Sequence, residues 1–230
     1  MSNLTVLSLG GSIIAPNTPD TAFLKEFNTA LRAYLRENSS HKLILVCGGG
    51  GPARIYQESY REITSNAEPD AQDWIGIRAT HLNGMLIQAI FSDLCSNDLV
   101  TDPTAHISFQ GQVLVAAGWK PGFSTDTDAV FLAERFGGKL IVNLSNIAKV
   151  YTDDPRKNPD ATPLDSISWE NFRKMVGDEW VPGKNCPFDP IASKTAQKEN
   201  MKVICADGRN IKNTLAILRG QPFEGTTIGD

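Results

Sequence analysis

The residues best suited to chemistry in this chain sit where apolar runs end in glycine. Leu4 to Leu9 stops at Gly10-Gly11-Ser12, and Leu43 to Cys47 stops at four consecutive glycines, Gly48 to Gly51. Small residues at a strand end let backbone N–H groups converge on an anion without Cβ obstruction. A helix starting at the same point adds partial positive charge, and Pro52 stands where a first helical turn tolerates proline. Each cluster alone reads as a tight turn; two of them at the ends of parallel strands read as a phosphate site. Neither matches GxxxxGK[ST], and neither is a GxGxxG with its downstream acidic residue. Arg54, one helical turn beyond the glycines, either forks onto a phosphate or is an ordinary solvated arginine.

A second concentration of chemistry is Gly122-Phe123-Ser124-Thr125-Asp126-Thr127-Asp128, just before a helical pattern. One of these residues suffices to cap the helix. The surplus of hydroxyls and carboxylates suits phosphate or ribose. Ser145-Asn146 closes another strand, and Tyr151 beyond it either stacks on a base or packs in a loop. Asp154-Pro155 alone marks a turn. Lys194, a turn into a helix opened by Asp189-Pro190, is either a surface lysine or a cation for a transferring phosphoryl group.

The elements that must position these residues alternate strand and helix, which predicts a largely parallel sheet covered on both faces. Strands are predicted at 4–9, 43–47, 113–117, 139–144 and 202–205. Asp20 is expected to cap a helix whose Phe23, Leu24, Phe27, Leu31, Tyr34 and Leu35 recur at helical spacing. That stripe reads as core, or as a dimer interface. Further helices are predicted at 53–64, 70–94, 127–136, 189–200 and 211–219. Gly76 and Gly84 imply a kink or close packing in the longest of them. Pro155, Pro159 and Pro163 mark an irregular, exposed stretch. No repeat or linker interrupts the chain, so residues 1–230 are expected to form one domain.

Composition narrows the function. With 230 residues the chain should bury roughly 70% of its unfolded surface without disulfide or metal staples. Hydrophobic residues at 41% and charged residues at 21% exclude disordered and fibrous classes. A net charge of −4 argues against nucleic-acid binding. No apolar run reaches the roughly 20 residues of a membrane span, and no signal peptide is read at the N-terminus. Cys47, Cys95, Cys186 and Cys205 are expected to be reduced thiols of a cytoplasmic protein. His41, His81 and His106 form no cluster that suggests a metal site or a histidine-based triad.

Taken in order, these segments resemble the amino-acid kinase superfamily, most closely the uridylate (UMP) kinases of archaeal type. The matching blocks are Leu9-Gly10-Gly11-Ser12, Cys47-Gly48-Gly49-Gly50, Ala53-Arg54, Asp73 to Ile77, Pro121-Gly122, Thr127 to Val130, Val150-Tyr151-Thr152 with Asp154-Pro155, and Asp189 to Lys194. The resemblance implies a three-layer αβα sandwich with an open, mainly parallel sheet, the N-terminal half binding the acceptor and the C-terminal half ATP. It implies transfer of the ATP γ-phosphoryl group to UMP, giving UDP in pyrimidine nucleotide biosynthesis, with Mg²⁺ carried by the nucleotide. ATP would meet Gly10, Gly11, Ser12, Gly50, Ser145, Asn146, Tyr151 and Asp154. UMP would meet Gly49, Asp73, Gly122, Ser124, Thr125 and Thr127, with Asp73 on the ribose hydroxyls. Asp189, Lys194 and Arg54 would organise and neutralise the transition state. A homo-oligomer, hexamer or dimer, is also implied.

Three departures stand out. Ser8 occupies a position where many superfamily members carry lysine, Ala148-Lys149 replaces an Asp-Gly, and Trp119-Lys120 with a lengthened Phe123-to-Asp126 stretch replaces a shorter acceptor segment. Lys149 is a candidate to supply the charge that Ser8 lacks. The alternatives are a kinase of the same superfamily for another small acceptor, and a non-catalytic nucleotide or oxyanion binder resembling molybdenum storage proteins.

Overall fold

The computed structural model describes residues 3–177 and 186–229. The chain runs β1 (Leu4–Leu9), α1 (Gly11–Ile14), α2 (Thr21–Glu37), β2 (Lys42–Cys47), α3 (Gly50–Ile63), α4 (Pro69–Ile90) and β3 (Val113–Ala117). It continues with α5 (Thr125–Phe136), β4 (Leu140–Ser145), β5 (Ser166–Ile167), α6 (Trp169–Val176), α7 (Pro190–Lys198), β6 (Lys202–Asp207), α8 (Ile211–Leu218) and β7 (Thr226–Ile228). The strands form one sheet ordered β3-β2-β1-β4-β6-β7-β5. Pairing is parallel from β3 through β6, and only the β7–β5 edge runs the other way.

β1 and β3 are buried at every position, the signature of strands covered on both faces rather than alternating. Leu7, Leu9, Leu43 and Leu45 pack with Phe27, Leu31 and Leu35 of α2 and with residues of α4 and α8. Leu4, Val6, Ile44 and Val46 face α5, α6 and α7. The three αβα layers are those expected. The apolar stripe of α2 lies wholly inside the first layer, so it is core, not a surface for a partner. Its start is fixed as expected, with Asp20 Oδ1 accepting from Phe23 N at 3.0 Å, a cap worth roughly 0.5–2 kcal/mol.

The chain lays down β1, β2 and β3 in one direction and then returns past β1 to place β4 on its other side. In open α/β sheets ligands bind at such a reversal, outside the carboxyl ends of the strands. Gly10 sits there, its N–H donating to Leu144 O at 2.8 Å.

Some expectations need correction. The glycines after β1 open a single helical turn, α1, and α3 begins at Gly50 rather than at residue 53. α4 stops at Ile90, short of residue 94. Gly84 in α4 serves close packing, since a Cβ there would lie 2.8 Å from Leu99 Cδ1. β5, α6 and β7 are additions, although Trp169, Phe172 and Val176 are buried at helical spacing behind the Ser168 cap. The proline-marked stretch is irregular, as expected. Cys47, Cys95 and Cys205 are buried free thiols.

Candidate functional site

The two glycine turns meet. A Cβ on Gly11 would stand 2.0 Å from Gly50 N, and one on Gly48 would stand 2.5 Å from Gly11 N, so only glycines allow this approach. Gly50 also holds a φ of 67°, in the left-handed region that glycine tolerates. Asn83 of α4, buried beneath the turn, donates from Nδ2 to Gly48 O at 2.7 Å and to Gly49 O at 3.2 Å. First-turn amides have no intrahelical acceptor. Gly51 N finds Ala15 O at 2.9 Å, while those of Gly11, Ser12, Gly49 and Gly50 find none among the described residues. The N-termini of α1 and α3 therefore present donors and positive dipole ends from adjacent strands.

The donor side continues around β4 and β6. Ser145 lies beside Gly10, where a Cβ would be 3.4 Å from Ser145 Cα, and Gly208 N donates to Ser145 O at 2.8 Å. Arg209 ties this rim together, donating to Asp20 Oδ2 at 3.0 Å and to Ser12 O at 3.2 Å.

On the other side, α4 holds the segment after β3. Thr80 Oγ1 accepts from Gly118 N at 2.8 Å. Arg78 donates to His81 Nδ1 at 3.2 Å, which leaves Nε2–H to donate to Gly118 O at 2.7 Å. Asp73 Oδ2 accepts from Gly122 N at 3.2 Å, joining two predicted UMP residues. The lengthened segment folds as an aromatic group: Trp119 and Phe123 centroids are 4.8 Å apart, Phe131 stands beside both, and Lys120 Nζ lies 3.9 Å from the Trp119 ring. Ser124 is the α5 cap, accepting from Thr127 N at 3.3 Å.

Three carboxylates follow at the first turns of α5 and α7. Ser8 Oγ donates to Asp126 Oδ1 at 3.2 Å, and Asp189 N donates to Asp126 Oδ2 at 3.2 Å. Asp189 Oδ1 caps α7 by accepting from Ile191 N and Ala192 N, both at 2.8 Å, and Thr127 Oγ1 stands 3.5 Å from the same oxygen. Burial, and then the neighbouring Asp189 carboxylate, push Asp126 up to about 7. Asp128 is fully buried; Oδ2 accepts from Trp119 N at 3.2 Å, while Oδ1 has no partner among the described residues. Burial raises it to about 7 as well. Buried carboxyls raised in this way are candidates for a functional site.

The remaining predicted residues are less engaged. Lys194 is exposed on α7, and Arg54 is exposed with Nη2 3.5 Å from Pro16 O. Ser145 Oγ accepts from Ile147 N at 3.4 Å, and Asn146 is exposed. Tyr151 is half-buried in a bridge to Pro163, and Asp154 is paired with Arg156 within its own turn. No described hydrogen bond joins Tyr151 or Asp154 to the glycine junction. Lys149 does not supply charge beside Ser8, because its ammonium is paired with Asp165. Sequence reasoning missed Asn83, Thr80 and Arg209 as parts of the site; Asp126 and Asp128 stand within the polar run it singled out before α5.

The amino acid kinase family matches residues 3–207. The uridylate kinase of Pyrococcus abyssi is 32% identical over 226 residues, 97% of this chain and 98% of that protein. That of Methanosarcina barkeri is 35% identical over 214 residues, 90% and 88% of the two chains. The solved uridylate kinase of Archaeoglobus fulgidus superposes with a TM-score of 0.82 at 29% identity, covering 98% of this chain and 99% of its own. The chain belongs to the amino acid kinase family.

Proposed function

We propose that this protein is a uridylate kinase, transferring the γ-phosphoryl group of ATP to the phosphate of UMP to give ADP and UDP within pyrimidine nucleotide biosynthesis. The observation that carries this reading is the contact between the two glycine turns, which aims two helix N-termini at one place where two polyanions can meet. The near full-length similarity to uridylate kinases supports the acceptor.

In this reading the whole chain acts as one unit. Its N-terminal half holds UMP through Gly49, Asp73, Gly122, Ser124, Thr125 and Thr127. Its C-terminal half, with Gly10, Gly11, Ser12 and Gly50, holds ATP, and Ser145, Asn146, Tyr151 and Asp154 complete that site. Arg54, Lys194 and Asp189 flank the transfer point. The attacking group is an ionised phosphate oxygen, so no general base is required, and the work is positioning and charge compensation. Among the described residues no three carboxylate, imidazole or thiolate groups converge to hold a metal ion. Mg²⁺ would ride on the nucleotide phosphates, where it neutralises their charge.

The expected homo-oligomer, dimer or hexamer, has a candidate surface in the exposed Ile55, Tyr56 and Ile63 of α3 and Trp74, Leu82 and Met85 of α4. A second copy covering these stripes is tested by light scattering of a Tyr56→Glu, Leu82→Glu variant, which should be smaller than the wild type. No described helix is long and apolar enough to cross a membrane. A cytoplasmic setting accords with the free thiols of Cys47, Cys95 and Cys205 and with soluble nucleotide substrates.

The test is ADP release with a panel of nucleoside monophosphates, acetylglutamate, carbamate and isopentenyl phosphate. UMP-dependent turnover of about 1–100 per second is expected. Turnover with another acceptor alone, or nucleotide-stabilised melting without turnover, would overturn the assignment. Asp73→Ala should weaken UMP by about tenfold or more while changing ATP affinity little. Equal loss of both would contradict the two half-sites.

A further inference from the structure

We propose that Asp126 is a positioning residue for phosphoryl transfer, its carboxylate fixing the end of β1 and the start of α7 to one another beside the glycine junction. The proposal rests on the uridylate kinase reading and concerns a residue in the stretch that departs from the family pattern. Oδ1 takes the Ser8 hydroxyl, two residues before Gly10, and Oδ2 takes the Asp189 amide, each at 3.2 Å. Asp189 in turn holds the first turn of α7, through two amides at 2.8 Å and through Ser193 Oγ donating to its carbonyl at 2.7 Å. That turn leads directly into Lys194. Asp126 itself lies in the first turn of α5, at the end of the segment that Asp73 anchors at Gly122. One carboxylate thus joins the phosphate-loop strand, the acceptor segment and the helix bearing the cation.

The arrangement is held against electrostatics. The titratable groups around Asp126 are Asp189 on α7, Asp128 on its own helix and the buried Cys205 on β6; β1 offers only a hydroxyl. None of these brings positive charge. The carboxyl is raised from 3.8 to about 7 by burial and by Asp189. Between those values the folded protein holds a proton that the unfolded chain releases, so stability falls as pH rises through that window. Asparagine can accept from Asp189 N and donate to Ser8 Oγ, so it keeps both bonds without the buried charge.

The test compares wild type with Asp126→Ala, Asp126→Asn, Ser8→Ala and the Ser8→Ala, Asp126→Ala double variant, reading kcat, both KM values, and melting at pH 5 and pH 8. Asp126→Ala should lower kcat about tenfold or more, with the KM of ATP and of UMP within about twofold. Asp126→Asn, keeping both hydrogen bonds, should recover kcat to within about threefold of wild type and melt above wild type at pH 8 but not at pH 5. The Ser8 and Asp126 losses should be less than additive, because they remove the same bond. Wild-type kcat in Asp126→Ala, or an asparagine variant as impaired as the alanine one, overturns the role. Absence of UMP-dependent turnover in the wild type overturns the functional reading and the role together.

Discussion

Strand β1 carries a buried hydroxyl near each end, and the two ends follow opposite rules. Near the start, Thr5 faces the α2–α8 layer. Its Oγ1 lies 3.1 Å from His41 Nε2, His41 Nδ1 lies 2.7 Å from Tyr34 OH, and Tyr34 OH donates to Leu218 O at 3.1 Å. Because the phenol hydrogen goes to Leu218 O, His41 Nδ1 must carry a hydrogen and Nε2 must accept from Thr5. The chain of bonds is closed and neutral, with burial lowering His41 and raising Tyr34. Near the other end, Ser8 faces α5 and α7, where Asp126, Asp128 and Asp189 gather, one buried oxygen is orphaned and several amides have no acceptor. Polar burial that only holds a fold is saturated and uncharged. Polar burial that accumulates like charge and spare donors marks a candidate ligand site.

The most severe way to break this comparison is to disturb the ligand end alone. Gly11→Ala puts a Cβ 2.0 Å from Gly50 N and 2.6 Å from Gly49 C, both backbone atoms that cannot swing aside. The turns must separate, and a displacement near 1 Å at reacting groups costs on the order of 10²-fold. We expect kcat/KM for UMP phosphorylation to fall by about that factor or more, with a destabilisation of roughly 1–3 kcal/mol from overpacking. A fully active Gly11→Ala enzyme would mean that the contact between the turns does not matter to transfer.

The reciprocal change disturbs the closed end alone. Tyr34→Phe leaves Leu218 O without its phenolic donor and His41 Nδ1 without its acceptor inside the first layer. Urea unfolding should show a loss of roughly 1–3 kcal/mol, since each deserted group keeps its desolvation penalty. Both kinetic constants should stay at wild-type values. A kinetic defect at full stability would show that the ends of β1 are coupled rather than independent.

The sequence reveals these ends unequally. The parallel strands were legible because runs such as Val113 to Ala117 are apolar throughout, and the glycine turns were legible because nothing else tolerates such approach. The α2 cap was legible from Asp20 and the helical stripe behind it. β5 and β7, of two and three residues, were not, because pairing with neighbours rather than local pattern makes them strands. Within the run from Ser124 to Asp128, composition announced a helix start and a polar site. It could not say that Ser124 would cap and Asp126 would turn toward Ser8, because that depends on where the helix phase begins. Asn83 was hidden for another reason: its partner carbonyls lie 35 and 34 residues earlier, so on its own helix it looks like any polar residue. The ATP contacts of Tyr151 and Asp154 are implied by resemblance alone, and the loop geometry leaves Asp154 committed to Arg156.

The finest distinction between the ends is the sign of their response to pH. His41 is lowered by burial, so below about pH 6.5 the unfolded chain takes up a proton that the folded state resists, and stability is lost as pH falls. Asp126 and Asp128 are raised from 3.8 to about 7, so stability is lost as pH rises through that interval. The two slopes oppose each other in the mildly acidic range, but two carboxyls stand against one imidazole, so wild-type stability should fall as pH rises there. Removing either contribution should tilt the curve. His41→Gln, whose amide can accept from Thr5 and donate to Tyr34, should make unfolding free energy fall more steeply with rising pH than in wild type. Asp126→Asn should tilt it the opposite way. Urea unfolding of the three proteins at pH 5, 6 and 7 decides the matter, and tilts of the same sign would mean that the two ends of β1 do not differ in the charge they bury.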